Sequence, residues 1–367
     1  MEQRGTTLEP LASLEDLRDL VTTGGPCLTS YVAFEPATES LAEEVRLRWQ
    51  ARRDELADAG AAEEALAVVD DAIDGAHREA EGICVVVPSG AKPLVDLLPW
   101  PPAEDAAWGP VPALRPLLAL RQRRVPHVVA LVDRAGADLR VRRGHREVAA
   151  TSVEGDDHPI REVSGGGWSH RRFQQRAEET WQQNMDEVAA ELVRVVERSD
   201  ARIVAIGGDE RAVGLLTERL PEAMRDRVHR IGVTRAADGS EAHLDEQVDA
   251  ELDRWTDEQL DRALDLYDEE LGQRDRATSG AAATLAALRE ARVAVLIVPD
   301  GGDDRKAWVG ATPDQIATSA GDLTVSGDAV PVPLLDGAVA AALASGADIR
   351  VVAPGERPGE MGALLRW

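Results

Sequence analysis

The stretch "SGGGWSHRRFQQRAEETWQQN", Ser164–Asn184, decides how this chain is read. Three glycines run into a tryptophan and then into a charged segment with helical spacing. Phe173, Ala177, Trp181, Met185, Val188, Leu192 and Val195 recur every three or four residues, so one apolar stripe runs down a long helix. The spacing predicts a helix from Ser169 to Arg198, roughly 45 Å at about 1.5 Å per residue, with Ser169 as its N-cap. Gly165, Gly166 and Gly167 let backbone come close to a ligand. A helix N-terminus offers free N–H groups and partial positive charge, which attract phosphate. Arg171, Arg172 and Arg176 add charge to the first turns. The loop is neither a Walker A loop nor a dinucleotide fingerprint, because no Lys-Ser/Thr follows the glycines and no strand feeds them. It reads equally as a phosphate-approaching loop or as a surface loop ahead of a capped helix.

Working outward, apolar runs alternate with helical segments, which indicates an α/β protein. Upstream, "HVVALVDRAGADLRVRRGHREVAA" (127–150) reads as strands turning at Ala135-Gly136, with a basic face on the second. Downstream, "ARIVAIGGD" (201–209) is a buried strand ending in glycines, and the acidic run 240–275 is helical. "ICVVVP" (83–88) is a buried strand bounded by glycines, and "VAVLIVPD" (293–300) is a strand covered on both faces. The Pro-rich stretch 97–118 excludes regular helix and central strand, and its end marks a domain junction. The expected division is 1–124, 125–262 and 263–367.

The net charge of −26 argues against a uniformly basic nucleic-acid binder. Arginines nevertheless crowd the middle: Arg115, Arg121, Arg123, Arg124, Arg140, Arg142, Arg143 and Arg146. They form either a local basic face or a set of solvated strand and helix faces. Cys27 and Cys84 read as buried reduced thiols. No zinc spacing, HExxH pair or Gly-x-Ser-x-Gly elbow is present, and His158 beside Asp156 and Asp157 reads as a solvated loop. No metal or cofactor is expected. With no apolar run of membrane-spanning length and no signal-like N-terminus, a cytoplasmic protein is expected.

The order of these features resembles the archaeal and eukaryotic release factor and Pelota superfamily, and more closely its bacterial release-factor-like relatives. A hairpin comes first, then "SGGGWSHRRFQQR", the long helix and "IVAIGGDE"; the C-terminal "MGALLRW" (361–367) matches the family's closing strand. In the release factors the loop reads Gly-Gly-Gln-Ser-x-x-Arg-Phe-x-x-x-Arg. Gly166, Gly167, Ser169, Arg172, Phe173 and Arg176 stand in that frame. The resemblance covers Val125–Trp367. It implies three domains, with an RNase H-like middle domain and an L7Ae-like α-β-α C-terminal domain. It also implies a ribosome partner (rRNA at the A site) and a translational GTPase partner through the C-terminal domain, with no DNA or membrane partner. The departure lies at the glutamine that positions water for peptidyl-tRNA hydrolysis, because that position holds Trp168. Its indole N–H only donates. His170 is the candidate catalytic substitute near neutral pH. Gly165, Gly166, Gly167, Trp168, Ser169, Arg171, Arg172 and Arg176 are the expected RNA-binding residues. The expected function is occupancy of the A site of idle or stalled ribosomes, in hibernation or rescue, without hydrolysis. A hydrolase using His170, and a stress-linked interaction protein that has left the ribosome, are the alternatives.

Overall fold

A computed structural model of the chain describes residues 8–22, 25–34, 41–76, 80–144, 146–154, 167–232, 241–323 and 329–367, the side chains of 41, 42, 76, 167–179 and 241 excepted. It is a mixed α/β protein built as two compact units. One comprises 1–122 with 258–367, the other 123–257.

The first part of the larger unit holds α1 (Glu15–Thr22), β1 (Cys27–Ala33), α2 (Leu41–Asp58), α3 (Glu63–Ala76), β2 (Gly82–Pro88), β3 (Leu94–Leu98), β4 (Asp105–Gly109) and α4 (Arg115–Arg121). The four strands form an antiparallel sheet in the order β3-β2-β1-β4. Helices α2 and α3 cover one face through Val45, Trp49, Leu66, Val69 and Ile73. The other face packs Tyr31, Cys84 and Val86 into a second core. Burial on both faces is why β2 reads as an unbroken apolar run. Both cysteines are buried and neither is in a disulfide, and burial pushes the Cys27 thiol up to about 12. The Pro-rich stretch differs from the expectation in one respect: α4 forms inside it. Pro116 falls in the first turn, where its missing N–H costs no helical bond. Strand β4 lies at the sheet edge, a position open to proline neighbours.

The second unit holds β5 (Pro126–Val132), β6 (Gly136–Arg143), β7 (Arg146–Glu154), α5 (Gly167–Ser199), β8 (Ile203–Gly208), α6 (Glu210–Arg219), α7 (Glu222–Arg225), β9 (Val228–Arg230) and the first half of α8 (Glu241–Gln273). Its sheet runs β7-β6-β5-β8-β9. β5, β8 and β9 are parallel, and the β5–β6–β7 meander is antiparallel. Helices α5 and α6 cover one face through Met185, Val188, Leu192 and Leu216. The other face packs Val129, Leu131 and Ala205 against Leu244, Val248 and Leu252 of α8.

The chain then returns to the larger unit with β10 (Ala277–Ser279), α9 (Ala281–Arg289), β11 (Val293–Pro299), β12 (Lys306–Val309), β13 (Ile316–Ala317), β14 (Val330–Pro333), α10 (Leu334–Ala344), β15 (Asp348–Val352) and β16 (Gly362–Leu365). One sheet is ordered β10-β16-β11-β15 and a smaller one β13-β12-β14. Here the first and third stretches of sequence share a core. Leu17, Leu20, Leu114 and Leu117 belong to the same cluster as Leu288, Leu296, Leu335 and Val339. Two polar ties reinforce it. Gln122 completes the edge of β15, its side-chain N–H donating to the Val351 carbonyl (2.6 Å) and its oxygen accepting from the Val351 N–H (3.2 Å). Arg350, 1 % exposed, pairs with Asp348 (2.6 Å) and donates to the Glu9 carbonyl (2.6 Å). The expected boundary at 262/263 falls inside α8, which runs unbroken to Gln273.

Candidate nucleic-acid interface

The long helix starts at Gly167 and ends at Ser199. Ser169 is therefore not its N-cap but lies inside its first turn. Gly165 and Gly166, with His158, lie outside the described residues. Trp168, Ser169, His170, Arg171, Arg172 and Arg176 lie on the helix backbone of α5, and their side chains are outside the described set.

The base of this helical segment is anchored at the carboxyl ends of β5 and β8. Asp133 folds the β5–β6 turn by accepting from the N–H groups of Ala135 (2.8 Å) and Gly136 (2.9 Å). Asn184 of α5, itself buried, donates to the Arg134 carbonyl in that turn (3.1 Å). The Arg134 guanidinium lies 4.7 Å from the centre of the Trp181 ring and Arg211 lies 5.7 Å from it. Both distances suit cation–π attraction, worth about 0.5–1 kcal/mol each at exposed positions. Arg134 also pairs with Asp209 (3.2 Å). Asp209 caps α6 through the N–H groups of Arg211 and Ala212 (3.1 Å each). Sequence reasoning placed Trp181 only in the apolar stripe. The neighbouring "DRAG" (133–136) and "GGDE" (207–210) turns were the available signal. From Gly167 to Trp181 the axis rises about 21 Å, so the anchored rim sits well below the start of the helix.

The crowded arginines are largely neutralised. Arg121 pairs with Asp16 (2.8 Å) and Asp96 (2.8 Å). Arg123 pairs with Asp253 (3.0 Å) and Asp257 (3.2 Å), and Arg142 pairs with Asp245 (2.5 Å). Arg140 has Glu147 at 3.9 Å, and Arg115 has Asp300 at 3.8 Å. Arg115 and Arg121 belong to the larger unit and Arg123, Arg140 and Arg142 to the second, each with acids of its own unit.

Among the described residues no group of three His, Cys, Asp or Glu side chains is placed to hold a metal ion. No described helix is long and apolar enough to cross a membrane. His127 is buried against the Val125 carbonyl (2.9 Å), and His229 faces Glu251 (3.2 Å).

The uncharacterized protein Rv2629 of Mycobacterium tuberculosis (strain H37Rv) is 28 % identical over 295 residues, 79 % of each chain. The archaeal Pelota in a model of ribosome-bound Pelota and ABCE1 aligns over 97 % of this chain and 94 % of its own, at 14 % identity and a TM-score of 0.43. Dom34 of S. cerevisiae, described as a translation termination-like factor interacting with Hbs1, aligns over 78 % of each chain at 9 % identity and a TM-score of 0.39. Residues 126–273 match the family model of bacterial archaeo-eukaryotic release factor family 2, so the middle of this chain is similar to that family.

Proposed function

We propose that the protein is a ribosome-associated factor that occupies the A site of idle or stalled ribosomes and does so without hydrolysing peptidyl-tRNA. The observation that carries this reading is the family match over 126–273. Trp168, Arg171, Arg172 and Arg176 lie in the first turns of a helix that begins at Gly167. An aromatic flanked by arginines suits RNA, through stacking on an unpaired base and contacts to phosphates. The position at which release factors carry glutamine is a tryptophan, whose indole N–H only donates, and that favours binding over hydrolysis. The three-domain division at 124/125 and 262/263, with an RNase H-like middle domain, belongs to the same proposal. So does an L7Ae-like third domain as the docking place for a translational GTPase.

Sedimentation with bacterial ribosomes tests it. The wild-type chain is expected in the ribosome pellet at physiological salt and in the supernatant at high salt. The Arg171→Glu/Arg172→Glu/Arg176→Glu variant is expected to bind at least tenfold more weakly, as loss of three phosphate contacts requires. A wild-type chain that stays in the supernatant at low and physiological salt overturns the reading. Peptidyl-tRNA release above background that disappears in His170→Ala overturns its non-hydrolytic part.

A further inference from the structure

The sheet of the second unit has a second basic feature, at the end opposite to the start of α5. Where the strands β5, β8 and β9 begin, the two antiparallel strands turn. Register places an arginine at this end of every strand. Arg146 opens β7 and pairs across the turn with Arg143, the last residue of β6. Arg143 lies opposite Pro126, the first residue of β5. Arg202 precedes β8, and its N–H bonds to the Pro126 carbonyl (2.8 Å). Arg227 precedes β9, and its carbonyl accepts from the Val204 N–H (2.8 Å). Arg124 lies beside the hairpin tip, its Cγ 3.6 Å from where a side chain on Gly144 would start. At about 4.8 Å between strands, the row spans roughly 20 Å.

The row stands out against the rest of the chain. Most neighbouring arginines are matched to acids, as Arg121, Arg123 and Arg142 are. Arg143, Arg146 and Arg227 are exposed and make no ion pair among the described residues. Arg227 instead donates to the Ala201 carbonyl (3.0 Å), which holds its side chain along the rim. Glu147, Asp200 and Asp226 are the acids interspersed in the sequence here, and they leave an excess of positive charge on a chain of net charge −26. A partner attracted here must carry denser charge than the protein's own carboxylates. A linear phosphate backbone does, and planar guanidinium groups can grip phosphate oxygens two at a time.

We infer that this arginine row is an RNA-backbone binding surface, separate from the start of α5, with Arg143, Arg146 and Arg227 as its phosphate contacts. Because it makes no base contact, its binding is sequence-independent and steeply salt-dependent.

The test uses the full chain and a labelled single-stranded RNA, titrated at several salt concentrations. Arg143→Glu/Arg146→Glu/Arg227→Glu is expected to bind at least tenfold more weakly. It should also flatten the slope of log affinity against log salt by about 2, since each lost contact to a single strand removes about 0.7. Thermal unfolding of this variant should match wild type, because all three side chains are exposed. The Arg171→Glu/Arg172→Glu/Arg176→Glu variant is expected to keep the row's share of RNA binding, so failure of the ribosome proposal and failure of this one read out separately. The inference is overturned if the row variant binds RNA with unchanged affinity and slope. It is equally overturned if wild type binds no RNA, or if polyglutamate of equal charge competes as well as RNA, which would mark a surface for acidic protein.

Discussion

Gly208→Ala is expected to destabilise the second unit by more than about 3 kcal/mol, while Gly214→Ala, six residues on, stabilises it by about 0.5–1 kcal/mol. The chemical change is the same, one methyl group, and the backbone decides the sign. Gly208 ends β8 with φ +136, and a Cβ there would lie 1.8 Å from the Val132 carbonyl oxygen and 2.7 Å from its carbon. Those are atoms of β5, the strand paired with β8 through Val132 and Gly208. No rotamer change relieves a clash with backbone, so the two central strands must part or the turn must refold. The loss spreads from there, because Gly208 leads into Asp209. Asp209 donates its N–H to Val132 (2.9 Å), caps α6 and pairs with Arg134 over Trp181. Gly214 is inside α6 with nothing within 4 Å of its added Cβ. Its substitution only removes the flexibility cost of glycine in a helix. Urea unfolding followed by tryptophan fluorescence measures both. A Gly208→Ala midpoint equal to wild type would show that β5 and β8 are not held at this spacing.

The elements that bury a continuous apolar face could be read in advance. β2 and β11 are unbroken apolar runs because helices cover both faces of their sheets. The stripe from Phe173 to Val195 predicted α5 to within two residues at its N-terminus and one at its C-terminus. The start was misplaced because glycine is a poor helix former and serine a good cap, so local propensity put the beginning at Ser169. Proline likewise concealed α4, since the same residue that breaks a helix interior is welcome in its first turn. What local pattern cannot encode is pairing between distant residues. Nothing in "RQR" (121–123) tells that Gln122 will finish the edge of β15 while Arg121 and Arg123 find different aspartates. The apparent basic cluster in the sequence dissolves for this reason, and the arginine row emerges only once strand register is known. Of the candidate site, residue types and helical phase were legible. The anchoring of α5 by Asn184, Arg134 and Trp181 was not, because it joins three separate segments.

The second large effect is expected from Asp336→Asn, which should stabilise the larger unit at neutral pH by up to about 3 kcal/mol and remove part of its pH dependence. Asp336 lies in the first turn of α10. Burial raises its carboxyl from the ordinary 3.8 to about 6, Arg115 pulls it back only in part, and Asp105 adds to the rise. Burial raises Asp300 as well, again opposed by Arg115. One guanidinium serves two carboxylates and two carbonyls. Arg115 donates to the Gly301 carbonyl (2.6 Å) and reaches that of Pro299 (3.4 Å), with Asp300 at 3.8 Å. The favourable placement of a carboxylate at a helix N-terminus is worth about 0.3–1 kcal/mol. A rise from 3.8 to about 6 corresponds to roughly 3 kcal/mol in the other direction, so burial wins. The sign follows from linkage. The folded state binds the proton more tightly than the unfolded chain, so the cost of Asp336 is absent below pH 3.8. It grows as pH rises and is complete above about pH 6. The wild-type chain should therefore fall behind Asp336→Asn across that window and run parallel to it above. Urea midpoints for both proteins at a series of pH values between 4 and 8 read the difference directly. A difference that stays constant over the whole range would mean that Asp336 ionises in the folded protein as freely as in the unfolded chain.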